Sequence, residues 1–149
     1  MFWAATIKMV RAKFPEVMQL STETLASWLE GSGDGKNPLI LDVREPIEYN
    51  VSHLGGALNI TSKEELLKKV ESLEQNRPIV LYCSVGYRSS KMALFLINEG
   101  YPNVYNLEGS IFAWANEGRK IYHGKRETDK VHPYDKIWGR LLKNSLRAT

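Results

Sequence analysis

The sequence predicts an α/β domain, a central parallel sheet with helices on both faces, followed by a C-terminal extension of different character. Three observations predict it. The unbroken apolar runs "LILDV" (39–43) and "PIVLY" (78–82) have the pattern of strands buried on both faces. Segments of helical periodicity alternate with such runs, as a parallel sheet with crossover helices requires. Charge then divides the chain: residues 119–149 carry 9 Lys+Arg against 3 Asp+Glu, a net +6, whereas residues 1–118 carry 11 against 14 and are net negative.

The elements follow in order. "VMQLS" (17–21) reads as a short strand ending at Ser21, a good helix N-cap. "TETLASWLE" then puts Leu25, Trp28 and Leu29 on one helical face. "GSGDGKNP" (31–38) is a loop, and strand 39–43 follows. Residues 44–57 are irregular, with one helical turn around Ile47–Tyr49, and "LNI" is a short strand. "SKEELLKKVESLE" (62–74) is an amphipathic helix with Leu66, Leu67, Val70 and Leu73 inward. Strand 78–82 tolerates Pro78 at its first position. The helix from Ser89 to Glu99 is apolar on most sides and closes at Gly100. "NVYNL" (103–107) is the last strand and "SIFAWANEG" (110–118) a short helix. Beyond it, 123–133 reads as a polar linker. Residues 134–147 read as a basic helix with Ile137, Trp138, Leu141 and Leu142 on one side, weakened by about 1 kcal/mol at Gly139.

Composition narrows the function classes. The chain has 149 residues, 43% hydrophobic and 25% charged, as in ordinary globular domains. Its single cysteine excludes an intramolecular disulfide framework and a cysteine-rich zinc site, and favours a reducing, cytoplasmic setting. No apolar run approaches the ~18 residues of a transmembrane helix. The opening segment is basic and free of acid up to Glu16, so organellar import stays open. The extension carries Tyr122, Tyr134 and Trp138 among its basic residues, but in no arrangement that defines a nucleic-acid module, so no nucleic-acid partner is expected.

The cysteine is Cys83, one residue beyond strand 78–82, where open α/β sheets bind ligands. Buried packing is the alternative, because free cysteine behaves as a small hydrophobe. The surroundings favour chemistry. The amides of Ser84 to Arg88 can form an anion-binding nest, the next helix presents its N-terminus, and Arg88 adds a full charge. Each favours thiolate, the nucleophilic form. Gly86 supplies the positive φ that the loop needs.

Three ordered blocks resemble the single-domain rhodaneses of the rhodanese-like sulfurtransferase superfamily. They are the Asp-Val-Arg segment with its His and Gly-Ala turn in "LDVREPIEYNVSHLGGALNI" (41–60), the loop and helix of "VLYCSVGYRSSKMALFL", and the Leu-Glu-Gly segment ending in Trp114. The resemblance spans residues 15–118. It implies a sulfurtransferase in which Cys83 takes a sulfane sulfur from thiosulfate or a persulfide and, as a persulfide, passes it to cyanide or a thiol. It implies no cofactor and no metal. The implied partners are a small-molecule sulfur donor and a thiol acceptor, with a protein acceptor possible. A non-catalytic binding or regulatory module is the alternative. A phosphatase is disfavoured, since four residues separate Cys83 from Arg88 and a phosphoryl-binding loop would put Arg where Ser89 stands.

Around Cys83 the expected substrate or loop residues are Ser84, Val85, Gly86, Tyr87, Arg88 and Ser89. Arg44 is an anion-binding candidate, weighed against an ion pair with Asp42, Glu45 or Glu48. Asp42, Glu48 and His53 are expected as structural support. Three departures from the family pattern stand out: Gly55 where proline is common, Ser110 where a second glycine is common, and Val85, which removes a cation from the loop and turns the implied donor toward a persulfide rather than thiosulfate.

Overall fold

The computed structural model of the chain describes residues 2–31, 36–74 and 76–149, so the loop expected over 31–38 lies largely outside the described residues. Five parallel strands form the sheet: β1 (Met18–Leu20), β2 (Leu39–Asp42), β3 (Leu58–Asn59), β4 (Ile79–Tyr82) and β5 (Val104–Leu107), in the order β1-β5-β4-β2-β3. β2 and β4 are buried throughout, because helices cover both of their faces.

Side chains of alternate parity feed two cores. Leu39, Leu41, Ile79, Leu81 and Cys83 pack with helices α1 (Phe2–Lys13), α4 (Lys63–Val70) and α5 (Tyr87–Asn98). Ile40, Val80 and Tyr82 pack with α2 (Thr22–Leu29), α6 (Ser110–Asn116) and the C-terminal extension. The parity is the period of two that a strand imposes. Ser21 caps α2 through its hydroxyl, and Ser62 caps α4 in the same way. The single helical turn expected around Ile47–Tyr49 is part of a longer short helix, α3 (Pro46–Val51), started by Pro46 and tied by Glu48, whose carboxylate accepts from the Glu45 N–H at 3.0 Å. Among the described residues, no helix is long and apolar enough to cross a membrane.

The N-terminal segment, to which the sequence assigned no element, is a helix, and the C-terminal extension differs from expectation. Residues 2–13 are helical and lie against the sheet through Val10 and Phe14. The expected linker at 123–133 contains half of an antiparallel hairpin, β6 (Ile121–His123) with β7 (Arg126–Thr128). The hairpin is held to the turn after α3 by paired backbone bonds between His53 and Tyr122, each 2.8 Å. Gly55 permits this docking: a Cβ there would come within 3.0 Å of the Tyr122 ring.

The expected helix over 134–147 is absent. The segment forms two 3-10 turns, Trp138–Leu141 and Asn144–Leu146, with Leu142 extended between them. Tertiary bonds outcompete the helix. The Leu141 carbonyl accepts from the Trp3 and Asn116 side chains at 3.0 and 2.7 Å, and Asn116 Oδ1 takes the Lys143 N–H at 2.9 Å. Gly139 sits against Pro133 with no room for a side chain, and Leu141 and Leu142 are buried side by side. Ile137, expected on the inner side, is exposed.

A polar cluster is buried inside the sheet's carboxyl end. Tyr82 donates to Asp42 at 2.6 Å and accepts from the Leu54 N–H at 3.0 Å. Burial, and next the Asp42 charge, push the phenol well above its ordinary value. Tyr82→Phe leaves a buried carboxylate oxygen and a buried amide short of a partner, so we expect a loss of about 1–3 kcal/mol in chemical denaturation. An unchanged midpoint would mean that water replaces the phenol.

Candidate active site

Cys83 lies between β4 and α5, in the loop whose Gly86 has φ 115°. A left-handed residue there turns the chain so that the Gly86 N–H points back at Cys83 Sγ, 3.2 Å away. The Ser89 hydroxyl lies 3.3 Å from the same sulfur and 2.5 Å from Asn106 Oδ1. A hydroxyl has one hydrogen. With a neutral thiol, S–H donates to Ser89 and Ser89 donates to Asn106; a thiolate draws the Ser89 hydrogen to itself. Asn106 is anchored in turn by Gln19, whose side-chain oxygen accepts from it at 2.7 Å.

The loop's backbone is braced from α6. Ser110 Oγ accepts the Cys83 N–H at 3.1 Å and donates to the Leu107 carbonyl at 2.9 Å, and the Cys83 and Ser84 carbonyls take the Ile111 and Phe112 N–H groups. Ser110 holds φ 50°, a conformation that glycine adopts more readily, so the hydroxyl's two bonds offset the backbone strain.

The expected basic residues stand differently from a free anion site. Arg88 donates two bonds to Glu48, at 2.9 and 3.0 Å, and a third to Ser84 Oγ at 2.9 Å, while the Tyr134 ring covers it at 4.6 Å. Burial alone would lower its pKa, but the Glu48 bond and the nearby Cys83 and Glu48 charges raise it above its usual value. Ser84 is therefore engaged with this pair, donating to Glu48 at 3.3 Å. Arg44 is wholly buried and paired with Asp42 through Nη2 at 2.6 Å and Nε at 3.0 Å, so the anion-binding role is corrected to a structural ion pair. Asp42 also takes the Arg44 N–H at 3.0 Å. His53 stacks on Tyr49 with ring centroids 4.3 Å apart, its Nδ1 2.8 Å from the Leu54 carbonyl, away from the sulfur.

Glu48 gives the pair a pH signature. Burial pushes its carboxyl up, but the hydrogen bond and charge of Arg88 outweigh this and hold it below its ordinary value. A depressed folded pKa contributes stability above the unfolded value, about 4.3, and loses it as pH falls through the folded one. The unfolding free energy of the native chain is expected to drop more steeply below about pH 4 than that of Glu48→Gln. Parallel curves would remove Glu48 as the source.

A cavity of about 230 Å³ opens above Cys83, lined by Met9 of α1, Ser84, Val85, Tyr87 and Arg88 of the loop, and Tyr134 and Trp138 of the extension. Cys83 itself is 1% exposed, so the cavity is its route to solutes. Val85 and Tyr87 lie in this wall. The loop sequence alone did not indicate Met9, Tyr134, Trp138, Asn106 or Ser110. Asn106 had a signal, an amide inside the apolar strand "VYNL", where a buried polar group needs a partner. Ser110 had one in its departure from the glycine pattern.

A cysteine beyond a central parallel strand, in a loop closed by the next helix, marks an α/β domain with its cysteine loop at the carboxyl end of the sheet. Residues 25–117 match the Rhodanese-like domain family, and the chain belongs to that family. It is similar to a rhodanese-related protein from Thermoplasma volcanium, at 27% identity and TM-score 0.58, over 71% of this chain and 98% of that one. It shares its fold with a thiosulfate sulfurtransferase from Pseudomonas aeruginosa, at 22% identity and TM-score 0.68, over 92% of this chain and 26% of that one. Among curated proteins it resembles the tRNA uridine(34) hydroxylase of Photorhabdus laumondii, 30% identical over 77% of this chain and 34% of that protein. The chain spans about a third of the length of such relatives.

Two expectations are corrected by these relatives. The thiosulfate or persulfide sulfurtransferase reading gives way, because the curated relatives at 30–34% identity are named for hydroxylation of a tRNA uridine. In the cavity wall the one cation among the described lining residues, Arg88, is already paired with Glu48. The expectation of no nucleic-acid partner falls with it, since those relatives act on tRNA by name.

Proposed function

We propose that this chain is the cysteine-bearing domain of an enzyme that hydroxylates a tRNA uridine, with Cys83 as its nucleophile. The observation that carries the reading is a sulfur held by Gly86 and Ser89 at the floor of a cavity without unmatched charge, which suits a neutral ring. The relatives' name supplies the substrate class. Lys8 and Lys13 on α1, and Lys136, Arg140 and Lys143 on the extension, are exposed on the two elements that wall the cavity. They suit a phosphate backbone.

A thiolate adds to the electron-poor carbon of the uracil ring, forming a C–S bond and leaving the neighbouring carbon electron-rich. Exchange of C–H for C–OH removes two electrons, so a peroxide from solution is the oxidant: the electron-rich carbon bonds one oxygen as the O–O bond breaks, the other oxygen leaves as hydroxide or water, and loss of the C–H proton to solvent with departure of the Cys83 sulfur restores the ring. The test is mass analysis of tRNA nucleosides from cells lacking their own hydroxylase and supplied with this chain, alone or grafted in place of the matching segment of a relative. Gain of one oxygen at uridine 34 is expected. No gain in either arrangement would defeat the reading.

A further inference from the structure

The C-terminal extension reaches back over the nucleophile, and nothing in the assigned chemistry explains why. Tyr134 and Trp138 are the two of its residues that line the Cys83 cavity. Tyr134 holds φ 68°, a left-handed conformation that costs an aromatic residue strain and that the surrounding structure enforces. Its N–H donates to His132 Nδ1 at 3.0 Å, and Asp135 Oδ1 takes the Ile137 and Trp138 N–H groups at 3.0 and 2.7 Å, which hold the backbone that carries both rings. Tyr134 as a residue remains 46% exposed, so its position is not that of a core residue. Across the cavity stand Met9, Tyr87 and Val85. Tyr87 is itself steadied edge-on by Phe14, with centroids 5.2 Å apart.

We propose that Tyr134 and Trp138 form a stacking wall that admits a flat, uncharged single-ring base to Cys83 and rejects anionic donors. The proposal rests on the tRNA reading above and names the residues that set its selectivity. Size supports it: about 230 Å³ falls below the ~300–1,000 Å³ of sites for drug-sized ligands and suits one extruded ring rather than a whole nucleotide. Charge supports it as well. Tyr134 lies on the face of Arg88 while Glu48 holds the guanidinium edge, so the cation turns no free donor pair toward an entering anion. Bases stack on such rings whatever their sequence, which leaves position to be read by the phosphate contacts.

The experiment compares the full chain with Tyr134→Leu, Trp138→Leu and Tyr134→Phe. Fluorescence anisotropy measures binding to an anticodon stem-loop carrying uridine at position 34 and to the same RNA abasic there. The native chain is expected to prefer the uridine RNA by roughly tenfold, the value of one base stack. Each leucine variant should bring that ratio close to one without changing the abasic affinity, and Tyr134→Phe should keep it. A ratio that survives both leucine variants overturns the wall. A native chain that binds neither RNA overturns the tRNA reading instead. The wall is then judged by alkylation of Cys83, comparing the neutral iodoacetamide with the anionic iodoacetate. A neutral preference that falls several-fold in the leucine variants supports it, and an unchanged preference overturns it.

Discussion

Cys83→Ser is expected to lower formation of the oxygenated uridine by about a thousandfold or more, as loss of a covalent nucleophile does. The oxygen of serine can still accept from the Gly86 N–H and meet Ser89, so the loop keeps its bonds. Stability should therefore move by no more than about 1 kcal/mol in chemical denaturation. The contrast between the two readouts separates chemistry from packing, which matters because the sulfur is 1% exposed and belongs to the core around Leu81 and Ala93. Cys83→Ala sharpens the test: it removes the nucleophile and leaves a smaller apolar group. If alanine retained the activity while serine lost it, Cys83 would be a packing residue sensitive only to polarity.

Asp42→Asn is expected to have the largest effect on stability of any single change near the site. Asp42 and Arg44 both have fully buried side chains, and the carboxylate also accepts from Tyr82 and from the Arg44 N–H. Burial works against the Arg44 charge, but its bond to Asp42 and the Asp42 charge raise its pKa above the usual value, so the cation persists inside. Removing the partner strands that cation, at a cost of about 3–5 kcal/mol. Urea unfolding of the two proteins measures it directly. A loss below about 1 kcal/mol would mean that Arg44 finds water or another acceptor on relaxation. The Ser52 carbonyl already takes one Arg44 bond at 2.7 Å, and among the described residues Arg44 Nη1 and the Ser52 hydroxyl are both buried without a partner.

The two ends of the extension illustrate how tertiary contact overrides a local pattern. The 134–147 segment has helical spacing of Ile137, Trp138, Leu141 and Leu142, and that spacing predicts one buried face. Its apolar residues are indeed largely taken inside, except Ile137, but through Pro133 packing on Gly139 and side chains from α1 and α6 seizing the Leu141 carbonyl. Periodicity reports which residues want burial; it does not report which partner supplies the hydrogen bonds.

The sequence by itself determined the parallel sheet, because strands buried on both faces leave unbroken apolar runs at 39–43 and 78–82, and period-3.6 segments between them can only be covering helices. It also determined where the cysteine stands, since Cys83 follows a central strand and Gly86 marks the turn. The charge state of the cavity was decided only in three dimensions. Arg88 meets Glu48 across forty residues, and Tyr134 and Trp138 arrive from the far end of the chain, so no local window contains the contacts that neutralise the loop and roof it with rings. Electrostatics and stacking depend on distance in space, and that distance is set by the fold rather than by neighbours along the chain.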